Sequence, residues 1–149
     1  MDKLNSLKQH LLANIPALRR DPDCLHVFAD QGKIHYIAER ELHFQYQYRA
    51  VVIVTGLALH ADAVFVPIVH WCKLNQLDLD NQGIAFLADP LDGNSIDLRI
   101  EIPLTEPVRV IAVEGGYSTE HVAEPVPEYN MPLPELLGEF VFPGSDTTE

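Results

Sequence analysis

Hydrophobic positions recur along this chain at two different periods, and the switches between them mark its elements. In residues 2–15, Leu4, Leu7, Leu11 and Ile15 fall at helical spacing, and Pro16 is expected to end that helix. After RRDPD the period drops to two: LHVFA and KIHYIA alternate around DQGK, where Gly32 suits a short loop, and together they predict a β-hairpin. Residues 43–55 begin with strict polar and aromatic alternation in HFQYQYR and turn apolar at every position in AVVIV. At ~3.3 Å per residue this segment is about twice the usual strand length, so it is expected to project beyond its neighbours or bend. Its dry half needs cover on both faces.

A second helix follows in ADAVFVPIVHWCKLNQ, with Val64, Phe65, Ile68, Trp71 and Cys72 on one face and His70 and Lys73 opposite. Its start is open between Asp62 as a cap and Pro67, whose missing N–H costs nothing in a first turn. GIAFLA, SIDLRIEIPL and VRVIAV then predict three strands of an antiparallel meander closed by Gly115-Gly116. The order helix, three strands, helix, three strands gives an α+β fold: a largely antiparallel sheet of about six strands with two helices packed on it. Leu7, Leu11, Val52, Val54, Val64, Ile68, Trp71 and Ile100 are the expected core. The Trp71 helix is expected to cover one face of VVIV, and either the N-terminal helix or a neighbouring subunit the other.

Residues 1–116 therefore read as one domain and residues 117–149 as an extended, acidic arm. The arm carries Pro125, Pro127, Pro132, Pro134 and Pro143, and only PELLGEFVF offers it an apolar cluster. It is expected to lie over another surface rather than form a core. Residues 101–149 hold ten acids against Arg109 alone, which places most of the net charge of −12 there. No basic cluster exists to release counterions from phosphate, which disfavours nucleic-acid and anionic-membrane binding. AVVIVTGLAL is far shorter than the ~20 residues that span a bilayer. With no secretory signal in MDKLNSLKQH, the chain is expected in the cytosol with Cys24 and Cys72 reduced.

Catalytic and metal chemistry is weakly supported. Asp78, Asp80, Gln82 and Gly83 take the first, third, fifth and sixth places of a twelve-residue calcium loop ending at Asp89, but the last place wants a Glu and IAFLAD reads as strand where the motif needs helix. A polar turn is the preferred reading. His26 and His35 are expected to face one another across the first hairpin, yet there is no HExxH, CxxC or finger spacing. GxSxG is absent, and Asp89, Asp92 and Asp97 surround a turn of the kind aspartates favour. No catalytic residue, metal or cofactor is expected.

Three segments, RRDPDCLHVFADQGKI, ADAVFVPIVHWCKLNQLDL and ADPLDGNSIDLRIEIPLTEPVRV, resemble in order and spacing the tail completion protein R family of contractile-tailed temperate phages and related prophage elements. The resemblance covers residues 3–113. Its most specific piece is VPIVHWCKLNQLDL, where proline, tryptophan, Asn75-Gln76 and Leu77 fall in the family's places; His70, Cys72 and Lys73 depart from its aliphatic or arginine residues. The resemblance implies a tail-terminator-like fold and a structural, non-enzymatic protein of the virion tail, assembled in the bacterial cytoplasm. Its subunits would form a ring, expected to be a hexamer, that stops tube growth at the head-proximal end. Implied partners are further copies of itself, the tail tube and sheath proteins, and the head connector or neck. A connector, adaptor or baseplate subunit of the same assembly is the alternative, and a small hydrolase a remote one. Candidate interface residues are Gln45, Gln47 and Arg49 on the long strand, Asp78, Asp80, Asn81 and Gln82 after the second helix, and Phe140, Val141 and Phe142 in the arm.

Overall fold

The computed structural model describes residues 1–36, 38, 41–58, 60–76, 83–91, 93–123, 137, 138, 140 and 141. Helix α1 (Asp2–Asn14) leads through Ile15 into the short α2 (Pro16–Arg20), and a single 3₁₀ turn, Pro22–Cys24, carries Cys24. Strands β1 (Leu25–Tyr36) and β2 (Phe44–Leu57) follow, then α3 (Asp62–Asn75), β3 (Ala85–Pro90), β4 (Ile96–Val113) and β5 (Gly116–His121). All five strands form one antiparallel sheet in the order β1, β2, β4, with β3 and β5 lying one after the other along the far side of β4.

Among the described residues the sheet has five strands rather than six: two pairs of expected strands are each a single strand, and β5, in residues expected to begin the extended arm, adds one. LHVFA and KIHYIA are not a hairpin but one strand, because β2 is long enough to pair with both halves. The register runs from Asp30 opposite Arg49 to Lys33 opposite Gln47, and Gln31 (φ 53°) with Gly32 is absorbed as a bulge. His26 and His35 consequently sit on one strand, opposite Ile53 and Gln45, and do not face each other. Likewise SIDLRIEIPL and VRVIAV are one 18-residue strand that passes straight through Pro103 and Pro107. Pairing with β3 ends at Glu101 and pairing with β5 starts at Val108, so the outer edge of β4 is open between them. The Pro107 carbonyl and the Thr105 N–H both point to that outer edge, and Pro103 shares their phase. Proline is tolerated there because no strand asks for its missing N–H. The sheet then continues past Gly115 (φ 83°), which supplies the left-handed turn position between Val113 and Gly116.

Helix α3 starts at Asp62, and Pro67 lies inside it at the cost of one helical hydrogen bond. All three helices pack on one face of the sheet. That face is built from Leu25, Val27 and Ala29 of β1, Tyr48, Ala50, Val52 and Val54 of β2, and Leu98, Ile100, Ile102 and Leu104 of β4. Leu7, Leu11, Val64, Ile68 and Trp71 fill the helix side and, like Val52, Val54 and Ile100, are inaccessible to solvent. Trp71 Nε1 also donates to Ser6 Oγ at 3.0 Å, joining α3 to α1. Helix α1 therefore does not cover the second face of VVIV. There Val51 is buried between Phe28 and Glu101 in register, with Arg49 and Ile53 beside it along the strand. Glu101 pairs with Arg99 at 3.3 Å and lies 4.0 Å from Arg49.

The helix layer is fastened at one end by two polar side chains. No local side chain caps α1; instead Glu106 of β4, only 2% exposed, accepts the Asp2 backbone N–H at 2.9 Å, the His121 ring at 2.9 Å and the Tyr48 hydroxyl. Burial alone would raise its pKa, but hydrogen bonds from Tyr48, His121 and the Lys3 and Asp2 backbone reverse that and hold the carboxyl below the usual range. A carboxylate at a helix N-terminus is also favoured by the helix dipole. Gln76, just after α3, accepts from Lys3 Nζ at 2.6 Å and from the open-edge Thr105 N–H at 3.2 Å, and donates to Thr105 Oγ1 at 3.1 Å.

Replacing Glu106 with Ala strands these donors and should lower stability at neutral pH by about 1–3 kcal/mol, measured by urea unfolding. Because the native pKa is depressed, Glu106's contribution is complete above the unfolded value of ~4.3 and disappears as pH falls through the native one. The gap between wild type and E106A should thus narrow in acid; a gap that stays constant down to pH 3 contradicts the assignment.

Candidate functional site

The covered part of the sheet ends near Tyr48 and Glu106, but the strands continue. Beyond that line β1 after its bulge, the start of β2, the end of β4 and β5 form a ribbon. Its register aligns Tyr36, Phe44, Val108 and His121 in one cross-strand row and Ile34, Tyr46 and Glu106 in the next. These positions lie on the same face that the helices cover farther along. Phe44 and Tyr46 meet edge to face at 5.5 Å, and Tyr46 lies 5.7 Å from the His121 ring. Outward from them, Ile34 is 62% exposed, Tyr36 79% and Tyr117 75%. Leu42 is also exposed, and with Ile34, Tyr36 and Phe44 it borders a concavity of about 390 Å³. Among the described residues nothing covers this surface. Exposed apolar side chains gathered on one face are what protein–protein contact surfaces commonly present.

Gln45, Gln47 and Arg49 line the opposite face of β2. Gln47 hydrogen-bonds the His35 ring, and Arg49 Nε donates to Gln31 Oε1 at 3.2 Å. The structure brings these three together but separates them from the arm, whose described residues lie on the helix layer. There the Leu137 N–H donates to Asn14 Oδ1 at 2.9 Å, Phe140 stacks on His60 at 5.3 Å, and Val141 is exposed. Asp78, Asp80, Asn81, Gln82 and Phe142 lie outside the described residues, as does Asp92. Of the calcium-loop pattern, Gly83 and Asp89 are described, and Asp89 is in β3 opposite Asp97. The ribbon residues Ile34 and Tyr36 are not singled out by sequence reasoning, because alternation does not tell a covered sheet face from an open one, and Tyr117 falls in the expected extended arm, whereas it is in β5 opposite Ala112.

His70 is likewise not on the solvent face of α3. It is buried against α1, with Nδ1 3.1 Å from His10 Nε2 and ring centroids 4.9 Å apart, and its Nε2 has no hydrogen-bond partner among the described residues. Burial and the neighbouring His70 hold the His10 imidazole below its ordinary pKa, against a hydrogen bond to the Pro67 backbone. The unfolded chain then binds this proton more tightly than the native one, so the His10 term is neutral above the unfolded value of ~6.5 and destabilises as pH falls below it. Thermal unfolding between pH 7.5 and 5 should show a decline that His10→Gln flattens; parallel profiles for the two proteins contradict this.

The sequence model of P2 phage tail completion protein R (GpR) matches residues 1–125 of this chain. Tail completion protein R of Escherichia phage P2 is 32% identical over 150 residues, covering 95% of this chain and 97% of that protein. No solved structure matches. The matched span takes in the helix layer, all five strands and the apolar ribbon. This chain belongs to the P2 phage tail completion protein R family and is a structural protein of phage tail completion.

Proposed function

We propose that the chain assembles as a ring, sixfold to match the tail tube, at the head-proximal end of the tail. There it stops tube growth and prepares the tail for head joining, touching tube and sheath proteins on one side and the head connector or neck on the other. It does this as a scaffold and catalyses no reaction. The observation that carries this reading is the ribbon of Ile34, Tyr36, Phe44, Tyr46 and Tyr117, a core-type sheet face that runs on past its own helices. A closed ring needs a heterologous seam in which one patch meets a different patch on the next copy. The polar reverse face, with Gln45, Gln47 and Arg49, is suited to the partners that a terminator meets axially. The acid charge keeps passing DNA from adhering to a ring of this kind, since like charges repel within the ~8 Å Debye length. Assembly takes place in the host cytoplasm.

Ile34→Asp with Tyr36→Asp places charge on exposed positions and should leave the fold and its thermal midpoint nearly unchanged while abolishing the ring seen by light scattering. Phage lacking the gene should carry overlong tails or tails that never join heads, and the double variant should fail to restore them. A strictly monomeric wild-type protein together with normal particles from the deletion would sink the proposal. Labelling at the distal end of the tail would instead select the baseplate alternative.

A further inference from the structure

The reverse face of the sheet carries a small polar recess that the apolar ribbon does not use. It has a volume of about 170 Å³ and lies where the bulge of β1 meets β2, lined by Gln31, Lys33, Gln47, Tyr48, Arg49 and, from β4, Pro103. We propose that this recess binds a carboxylate of an acidic protein that the assembled chain meets axially. That the partner is a tail or neck component rests on the function proposed above; the chemistry of the recess stands apart from it.

Register and bulge bring the lining together. Lys33 is directly opposite Gln47, and Arg49 follows on the same face of β2. Strict alternation would turn the residue after Asp30 toward the helices; the bulge, with Gln31 at φ 53°, instead lets Gln31 reach Arg49. The side-chain acceptors of the lining are then consumed within it. Gln31 Oε1 accepts from Arg49 Nε at 3.2 Å, Gln47 Oε1 accepts from the His35 ring, and the Tyr48 hydroxyl is turned to Glu106 on the other face. What remains is a set of donors: the amide NH₂ groups of Gln31 and Gln47, the Lys33 ammonium and the terminal nitrogens of Arg49. Lys33 has no hydrogen bond or ion pair among the described residues, and Arg49 Nη1 comes only within 4.0 Å of Glu101. A recess rimmed by donors selects a group that only accepts, and an ionised carboxylate is such a group.

Charge points the same way. On a chain of net charge −12, two cations meet in one recess whose lining holds no carboxylate. Asp30 and Glu101 flank it, and both are engaged: Asp30 Oδ1 accepts the Gln31 N–H at 2.8 Å, and Glu101 pairs with Arg99. These flanking acids repel a continuous phosphate track, which needs an extended row of cations to release its counterions. A single acidic side chain enters between them and meets Lys33 and Arg49 with charge-assisted hydrogen bonds. The recess is on the opposite face of β1 and β2 from the ribbon, so a partner held there does not compete with a seam between copies.

A carbodiimide joins an amine to a carboxylate, with loss of water, only where the two touch, so treating purified tails and analysing the digest by mass spectrometry reads the recess directly. The expected product is a Lys33 peptide linked to an Asp or Glu of a different tail or neck protein. Lys33→Arg keeps the charge but not the amine, and should assemble normally without the link. Lys33→Glu should leave the oligomer size and thermal midpoint of the isolated protein unchanged and lower the yield of infectious particles by roughly tenfold or more. Tails that give no link, and in which an amine reagent acetylates Lys33 as fast as in the free chain, overturn the proposal while leaving the ring intact. A link to a second copy of this chain overturns axial binding and assigns the recess to the seam. Protection of Lys33 in DNA-filled particles that is lost in empty tails assigns it to phosphate and overturns the carboxylate. Tails that do not contain the chain overturn the ring reading and the partner with it.

Discussion

The whole arrangement follows from a mismatch in rise per residue. β4 has 18 residues and at about 3.3 Å each is nearly 60 Å long, whereas α1 and α3 have 13 and 14 residues and at 1.5 Å each cover only about 20 Å. A sheet of that length cannot be roofed by helices of that length. One end of its core face becomes the hydrophobic core around Trp71, Val52 and Ile100, and the other end stays open as the ribbon around Tyr36 and Tyr46. Folding thus uses one end of a continuous surface and the proposed seam the other, divided by where the helices stop.

The division is held in place by polar groups. Glu106 and Gln76 tie the N-terminus of α1 and the C-terminus of α3 to the part of β4 that lacks an outer neighbour, which lies at the border between covered and uncovered sheet. A buried carboxylate that accepts a helix N-terminus, a tyrosine and a histidine is costly to misplace, so it fixes where the helix layer begins. At the far end of α1 the His10 and His70 rings meet, and Asn14 reaches the arm. Helix α3 and the residue after it contribute the tryptophan and glutamine of the most family-specific segment, and both prove to be structural: Trp71 fills the core and Gln76 occupies the open edge of β4.

Period and spacing located α1, β2 and α3 closely, because each carries an apolar repeat long enough to outweigh local ambiguity. What failed were the places where local chemistry has two tertiary meanings. Asp30-Gln31-Gly32 suits a hairpin turn and a bulge equally, and only the length of the partner β2 decides between them. Pro103 and Pro107 read as a strand break unless it is known that β3 stops short of them and β5 starts beyond them. His70 lies three residues after Pro67 and one before Trp71, close enough to the buried stripe to have been suspected, but a histidine in that place gives no sign of the second ring on α1. The polar positions Gln45, Gln47 and Arg49 were legible from alternation. The exposure of Ile34, Tyr36 and Tyr117 was not, since it depends on where a different element ends.

If the uncovered ribbon is a seam in the assembled tail, its side chains lose their exposure there. Hydroxyl-radical footprinting of Tyr36, Leu42 and Tyr117, compared between the dilute protein and purified tails, measures this. A seam gives strong reactivity in the dilute chain and protection of all three side chains in tails; equal reactivity in both states rules it out.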